Sequence, residues 1–314
     1  MMTGQSGIRD LLFERAKALD VIRSYFRQQN VIEVDTRLLD QFSVTDPYMS
    51  ALTVYTPNKQ QVGFLQTSPE YAMKRLLSQG SGDIYQLSKM FRAEENGRFH
   101  DSEFTMLEWY RTGFSLESLM DDVYQLISHV IGKRNRITLT YQNAFLKYLN
   151  IDPFKISDKE LISFSEKKLG DIPKDMLRDN YLTLLFSECI ESSLPTEDVT
   201  FIIDYPTSQS ALAKLKSVDG YQVAERFEVY CNGIELANGF YELTDPDEQL
   251  KRFENDNIIR TRLGYPEMVI DHRLIDALQK GLPECSGVAL GFDRLLMIKL
   301  GKTHISDVLP LDAG

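Results

Sequence analysis

Residues 91 to 110 read Phe-Arg-Ala-Glu-Glu-Asn-Gly-Arg-Phe-His-Asp-Ser-Glu-Phe-Thr-Met-Leu-Glu-Trp-Tyr, a run that sets cations and carboxylates between two short apolar stretches. Guanidinium groups suit phosphate oxygens and buried carboxylates suit amines, so phosphate chemistry and amine chemistry are expected side by side. As a hairpin with period-2 faces, Arg92 and Glu94 share one face. Phe104, Met106, Glu108 and Tyr110 share a face of the returning strand, and Arg98 and His100 fall in the connecting loop. The competing reading is a solvated hairpin with ordinary surface charges. A second set of acids, Glu228, Glu235 and Glu242, recurs every seven residues, and any one of them alone would read as edge-strand solubility. His129, His272 and His304 show no metal-ligand spacing. Cys189, Cys231 and Cys285 are odd in number and far apart, which fits free thiols and neither zinc nor thiol redox chemistry.

These groups need elements to hold them. Ile8, Leu11, Leu12, Ala16, Leu19, Ile22 and Phe26 recur at helical spacing, and Val31-Ile32-Glu33-Val34 then turns extended, so a long helix over 8–29 feeds a strand. Ser68-Pro69-Glu70 opens a helix with Ser at the N-cap, Pro in the first helical position and an acid in the first turn. A helix from Leu116 to Ile131 ends at Gly132, and the polar stretch 141–200 reads as helical, a possible insertion. Asn232-Gly233 joins two alternating runs as a type I′ hairpin, a register that sets Tyr230 opposite Glu235 and Glu228 opposite Ala237. Asp245-Pro246-Asp247-Glu248 starts a helix that ends at Gly264, and 287–291 is a small-residue strand feeding a helix that carries Arg294 and stops at Gly301.

With 314 residues, 43% apolar and 26% charged, the chain has the composition of a soluble globular protein. No apolar run nears the roughly 20 residues that span a bilayer, and the N-terminus lacks a basic region followed by an apolar core, so no membrane partner and a cytoplasmic location are expected. A net charge of −11, from 35 basic and 46 acidic residues, gives no global basic footprint for a nucleic-acid backbone. Neither a Gly-x-Gly-x-x-Gly loop nor a Walker sequence occurs, so a parallel nucleotide-binding sheet has no support.

The strand, loop and strand around Phe91-Arg92-Ala93-Glu94 resemble motif 2 of the class II aminoacyl-tRNA synthetases, and the continuation Glu-Phe-Thr-Met-Leu-Glu-Trp-Tyr is similar to the lysyl branch. Gly287 to Arg294 resembles motif 3, and the first helix with its strand resembles motif 1, although Arg37 stands where the family has Pro. Glu228, Glu235, Asn238 and Glu242 match the lysyl pattern Glu-x6-Glu-x2-Asn-x3-Glu. The resemblance covers residues 8–309 and implies an α+β fold, a mainly antiparallel sheet flanked by helices as one catalytic domain, working as a homodimer.

It also implies roles. Arg92 and Arg294 would be catalytic; ATP would meet Arg92, Glu94, His100, Asp101, Glu235, Leu236, Gly291 and Arg294; Glu228 and Glu235 would hold Mg²⁺. A lysine-like substrate would meet Ser68, Glu70, Glu108, Tyr110, Asn238, Glu242 and Ala289, with Glu70 on the backbone amine and Glu108, Tyr110 and Glu242 around the side-chain amine. Asp101 replaces the family's usual Asn, and Ala289 replaces the Gly of lysyl synthetases. About ten residues precede motif 1, so the anticodon-reading OB-fold domain is expected to be absent. The runs Val-Ala-Glu-Arg-Phe-Glu-Val-Tyr (223–230) and Cys-Ser-Gly-Val-Ala-Leu-Gly (285–291) are similar to the truncated lysyl-synthetase paralogues. These use ATP to activate (R)-β-lysine, or lysine, as an adenylate and attach it to a lysine of elongation factor P, with tRNA not expected as acceptor. The rivals are a minimal lysyl-tRNA ligase, an asparagine synthetase of the same fold, and a non-catalytic paralogue. The last usually loses a motif arginine, and Arg92 and Arg294 are both present.

Overall fold

A computed structural model describes residues 7–93, 96–173 and 176–310. The chain divides into two compact units, Met1–Gly132 with Glu242–Gly314, and Lys133–Tyr241. The first unit begins α1 (Ile8–Gln28), β1 (Ile32–Glu33), β2 (Leu39–Asp40), β3 (Thr53–Tyr55), β4 (Gln61–Leu65), α2 (Glu70–Leu77), β5 (Ile84–Phe91), β6 (Glu103–Thr112) and α3 (Leu116–Ile131). The second holds β7 (Arg136–Thr140), α4 (Tyr141–Leu149), α5 (Asp158–Leu169), α6 (Arg178–Leu185), β8 (Val199–Pro206), β9 (Leu215–Val218), β10 (Tyr221–Cys231) and β11 (Ile234–Tyr241). The chain then returns to the first unit with α7 (Pro246–Arg262), α8 (His272–Gly281), β12 (Cys285–Gly291) and α9 (Phe292–Leu300).

In the first unit the strand order is β1-β5-β6-β12, antiparallel except for the β1/β5 pair, beside a small antiparallel sheet β2-β4-β3. β6 shows how its period-2 alternation divides the unit. Its odd residues face the helices. The Trp109 indole donates to buried Asp122 of α3 at 3.1 Å and meets Phe26 of α1 edge-on, while Arg111 pairs with Asp122 at 3.0 Å. Its even residues, Phe104, Met106, Glu108 and Tyr110, take the opposite face, as the alternation predicts. Helix α1 buries Ala18, Ile22, Tyr25 and Phe26 against that core, with Phe26 stacked on Tyr85 at 4.3 Å.

In the second unit the order is β11-β10-β8-β7, with β9 also on β10, antiparallel except for β7/β8. Its core gathers Tyr141, Phe145, Phe186, Ile190, Ile202 and Tyr230. Helices α4 to α6, a π-helical turn (Phe186–Ile190) and a 3-10 turn fill most of the polar stretch expected to be helical, before β8 begins at Val199.

Two local expectations shift by one residue. Helix α2 starts at Glu70, so Pro69 takes the cap position and Ser68 Oγ accepts the Glu70 N–H at 3.0 Å. Ser68 still satisfies a free donor of the first turn, from one residue further out. In the 226–240 hairpin Asn232 and Gly233 both have positive φ, 55° and 68°, as a type I′ turn requires, and Tyr230 pairs with Glu235. Glu228, however, lies opposite Asn238 and not Ala237, because a bulge between Val229 and Tyr230 slips the ladder by one.

Candidate active site

Three small residues of β12 take one face of the first unit's sheet. Gly287 pairs with Tyr110, Ala289 with Glu108 and Gly291 with Met106. Directly paired residues share a face, so a strand bare of bulky side chains lies beside the ionisable even face of β6. Gly287 is required there: a Cβ would lie 2.3 Å from the Tyr110 ring and 2.5 Å from Glu242 Oε1.

Around this floor the structure assembles the predicted amine-holding groups. Glu108, 2% exposed, accepts from Ser68 Oγ at 2.8 Å and from the Tyr110 hydroxyl at 2.7 Å. Glu242 is 1% exposed. Between Glu242 and Glu70 stands Lys74, its Nζ 2.6 Å from Glu242 Oε2 and 2.7 Å from Glu70 Oε1. Sequence reasoning missed Lys74, although its place four residues after Glu70 on a helix puts the two on one face.

Burial and crowding set the charge state. Loss of water pushes the Glu108 carboxyl up to about 7, with the Glu70 charge adding to the rise against hydrogen bonds from Tyr110 and Ser68. Burial pushes Glu242 up to about 8, opposed by Lys74 and reinforced by Glu70 and Glu108. Burial pulls the Lys74 amine down, but Glu242 and Glu70 together outweigh it and hold the ammonium charged. An incoming ammonium would favour the ionised form of such carboxyls, giving each buried charge the partner that water no longer supplies.

A second cluster of the same unit holds cations. Arg294, in the first turn of α9, donates from Nε to the Phe99 carbonyl at 3.1 Å and from Nη2 to His100 Nε2 at 2.6 Å. A guanidinium only donates, so this contact requires His100 to accept at Nε2. Arg92 stacks its guanidinium 5.1 Å from the Phe104 ring centre. The start of α9 is pinned by buried Asp293, which accepts from Arg15 at 2.6 Å and from the Thr105 backbone N–H at 2.6 Å. Asp101 caps its own loop by accepting the Glu103 N–H at 3.1 Å. Glu94 lies outside the described residues.

In the second unit Glu228 Oε2 accepts from the Tyr205 hydroxyl at 2.6 Å and from the Tyr230 hydroxyl, while Oε1 pairs with Arg226. Arg226 also donates to Asn238 Oδ1 at 3.1 Å. Arg226 went unassigned in the sequence, where it reads as one more strand charge. Glu235 is half-buried and Leu236 is buried. Two carboxylates on paired strands offer the oxygen donors that Mg²⁺ prefers, and Arg226 shows that Oε1 of Glu228 takes a cationic partner.

A cavity of about 790 Å³ opens elsewhere in the first unit, lined among others by Arg37, Asp40, Arg75 and Arg273. Of the predicted site residues Ser68 lines it, while Glu108 and Glu242 do not. Among the described residues no helix is long and apolar enough to cross a membrane.

The sequence matches the family model of class II tRNA synthetases (D, K and N) over residues 2–312. Among curated proteins it is 46% identical over 311 residues to the elongation factor P (R)-β-lysine ligase of Photorhabdus laumondii, covering 95% of this chain and 93% of that one. It is 47% identical over 308 residues to the protein of that name from Vibrio atlanticus, covering 95% and 94%. With the Yersinia enterocolitica protein of the same name it shares 45% over 311 residues, covering 96% and 95%.

Proposed function

The chain belongs to the class II tRNA synthetase family (D, K and N), and within it we propose that this protein is a ligase that activates (R)-β-lysine with ATP and transfers it to a lysine of elongation factor P. The observation that carries this reading is the cluster of half-buried Glu70 with buried Glu108 and Glu242 beside the small-residue floor of β12. A pocket of that charge suits a substrate with two amines, and the relatives' shared name supplies the acceptor.

In the proposed reaction the amino acid's own carboxylate attacks the α-phosphorus in line and pyrophosphate leaves. The acceptor amine then attacks the acyl carbon of the adenylate, forming an amide and releasing AMP. The protein contributes position and charge. Glu70 holds the amine nearer the carboxylate, and Glu108, Tyr110 and Glu242 hold the terminal ammonium. Arg92 and Arg294 stabilise the phosphates, His100 and Asp101 contact the nucleotide, and Gly291 lets it approach the backbone. Ala289, whose methyl lies on the pocket floor opposite Glu108, is the proposed discriminator of β- from α-lysine. In the second unit Asn238 serves the amino acid, Leu236 serves ATP, and Glu228 and Glu235 are the proposed Mg²⁺ ligands. Mg²⁺ supplies charge neutralisation of the leaving pyrophosphate when bound.

The proposal includes a homodimer, for which the exposed Ile8, Leu12 and Phe13 of α1 supply apolar surface, and a cytoplasmic location. Amino-acid-dependent ATP–pyrophosphate exchange with each lysine isomer tests the activation step, and (R)-β-lysine is expected to give the higher kcat/KM. In the same assay Glu228→Gln and Glu235→Gln are expected to raise the Mg²⁺ requirement, with activity partly restored at high Mg²⁺. Failure of both isomers to support exchange would overturn the activation step. Mg²⁺ titrations unchanged in both variants would leave these acids as ordinary strand residues.

A further inference from the structure

Lys74 has no part in the scheme above, yet it stands at the centre of the amine pocket. Its side chain is 1% exposed and its Nζ touches Glu70 and Glu242 together. From α2 the pocket receives Glu70 and Lys74; from β6 it receives Glu108 and Tyr110; Glu242 follows the end of the second unit; and β12 presents uncharged Gly287 and Ala289. Tyr71, half-buried as a residue beside the Glu70 charge, and Tyr110, buried beside Glu108, have hydroxyls raised by loss of water and by these acids well above their ordinary range and stay neutral. The ionised pocket therefore carries Glu70, Glu108 and Glu242 against Lys74, a net of two negative charges.

We propose that Lys74 is a positioning and specificity-determining residue: it cancels one of the three carboxylates and holds Glu242 in place, leaving a pocket whose charge is matched by a ligand with two ammonium groups. This inference rests on reading the pocket as the amino-acid site. A mono-amine leaves one negative charge unmatched, and that charge is removed by a proton from water. The two ammonium groups of a diamino acid, whose carboxylate faces the α-phosphate in the proposed reaction and so lies outside this count, leave none and instead expel the protons that the free pocket holds near neutral pH, on the raised carboxyls of Glu108 and Glu242. The direction of the pH effect follows. An ammonium binds the ionised form, so affinity falls as pH drops through the raised carboxyl range, by up to about tenfold per pH unit for each linked proton. Lys74 lowers the Glu242 carboxyl, so removing it moves this fall to higher pH.

The test is calorimetric binding of L-lysine and (R)-β-lysine, and of norleucine (α-amine only) and 6-aminohexanoate (terminal amine only), across pH 6–9.5. Each titration is run in two buffers of different ionisation enthalpy to count protons released. For the wild type, lysine is expected to release more protons near pH 7 than either mono-amine and to bind at least about tenfold tighter. Lys74→Met is expected to shift the lysine affinity profile upward by about one pH unit or more, with weak binding at pH 7 recovering towards pH 9.5. The loss should appear in KM for the amino acid and not in KM for ATP, and Lys74→Arg should restore the wild-type profile. A Lys74→Met profile that is unshifted, or lowered equally at every pH, overturns the inference. Should that variant not fold, equal proton release by lysine and both mono-amines on the wild type overturns it as well. No binding of any diamino acid by the wild type would bring down the reading of the pocket itself, whereas normal lysine binding that ignores Lys74 brings down this inference alone.

Discussion

Arg294→Ala and Arg92→Ala are each expected to lower amino-acid-dependent ATP–pyrophosphate exchange by about 10²–10³-fold, while circular dichroism and thermal unfolding stay near those of the parent protein. Both side chains are proposed to face a polyanion whose charge must be held during in-line attack, and loss of one such preorganised donor costs about 2.7–4 kcal/mol of barrier. The fold should survive because the anchor of α9 lies elsewhere. Buried Asp293, held by Arg15 and by the Thr105 N–H, fixes the helix start, whereas Arg294 contacts the Phe99 carbonyl and His100 on the adjoining loop. Arg92 stacks on Phe104 beyond the end of β5. Near-normal exchange in either variant would remove that arginine from the phosphate site.

Glu242→Gln is expected to weaken lysine-like substrates by about 3–5 kcal/mol, more than a hundredfold in Kd, because it removes the charge of a buried carboxylate paired with buried Lys74. The amide keeps the shape against Gly287 and can still accept from Lys74 but no longer balances its charge, and the incoming ammonium loses an anionic partner in a buried place. The affinity for ATP should change little. Isothermal titration with lysine and, separately, with a non-hydrolysable ATP analogue reads both. Unchanged lysine affinity, or an equal loss for both ligands, would show that Glu242 is not the ammonium partner.

Much of this site can be read in the sequence, for physical reasons. Period-2 alternation on β6 separates Glu108 and Tyr110 from Trp109 and Arg111, and one faces the pocket while the other faces the helices. The spacing Gly287-x-Ala289-x-Gly291 marks a strand face kept clear of bulk, and the clash a Cβ at 287 would meet shows why. Caps and turns at Asp245, Asn232 and Gly233 are local chemistry and fall where expected. The rest depends on contacts across long separations. A lysine in the Tyr-Ala-Met-Lys-Arg run of α2 looks like helix-surface charge until Glu242, far along the chain, is found on it. The bulge after Val229 comes from how β10 meets its partner strand, and it turns Glu228 towards Asn238. The hold of Arg226 on Glu228 and Asn238 is likewise a product of that register.

The transfer step tests the central claim most directly. Purified elongation factor P is incubated with the enzyme, ATP, Mg²⁺ and (R)-β-lysine and its intact mass is measured, with lysine-accepting tRNA assayed for charging under the same conditions. The account predicts one added lysyl mass on a single lysine of the factor, dependent on ATP and lost in Arg294→Ala, with little charging of tRNA. An unmodified factor beside efficiently charged tRNA would contradict it and establish the protein as a minimal tRNA ligase.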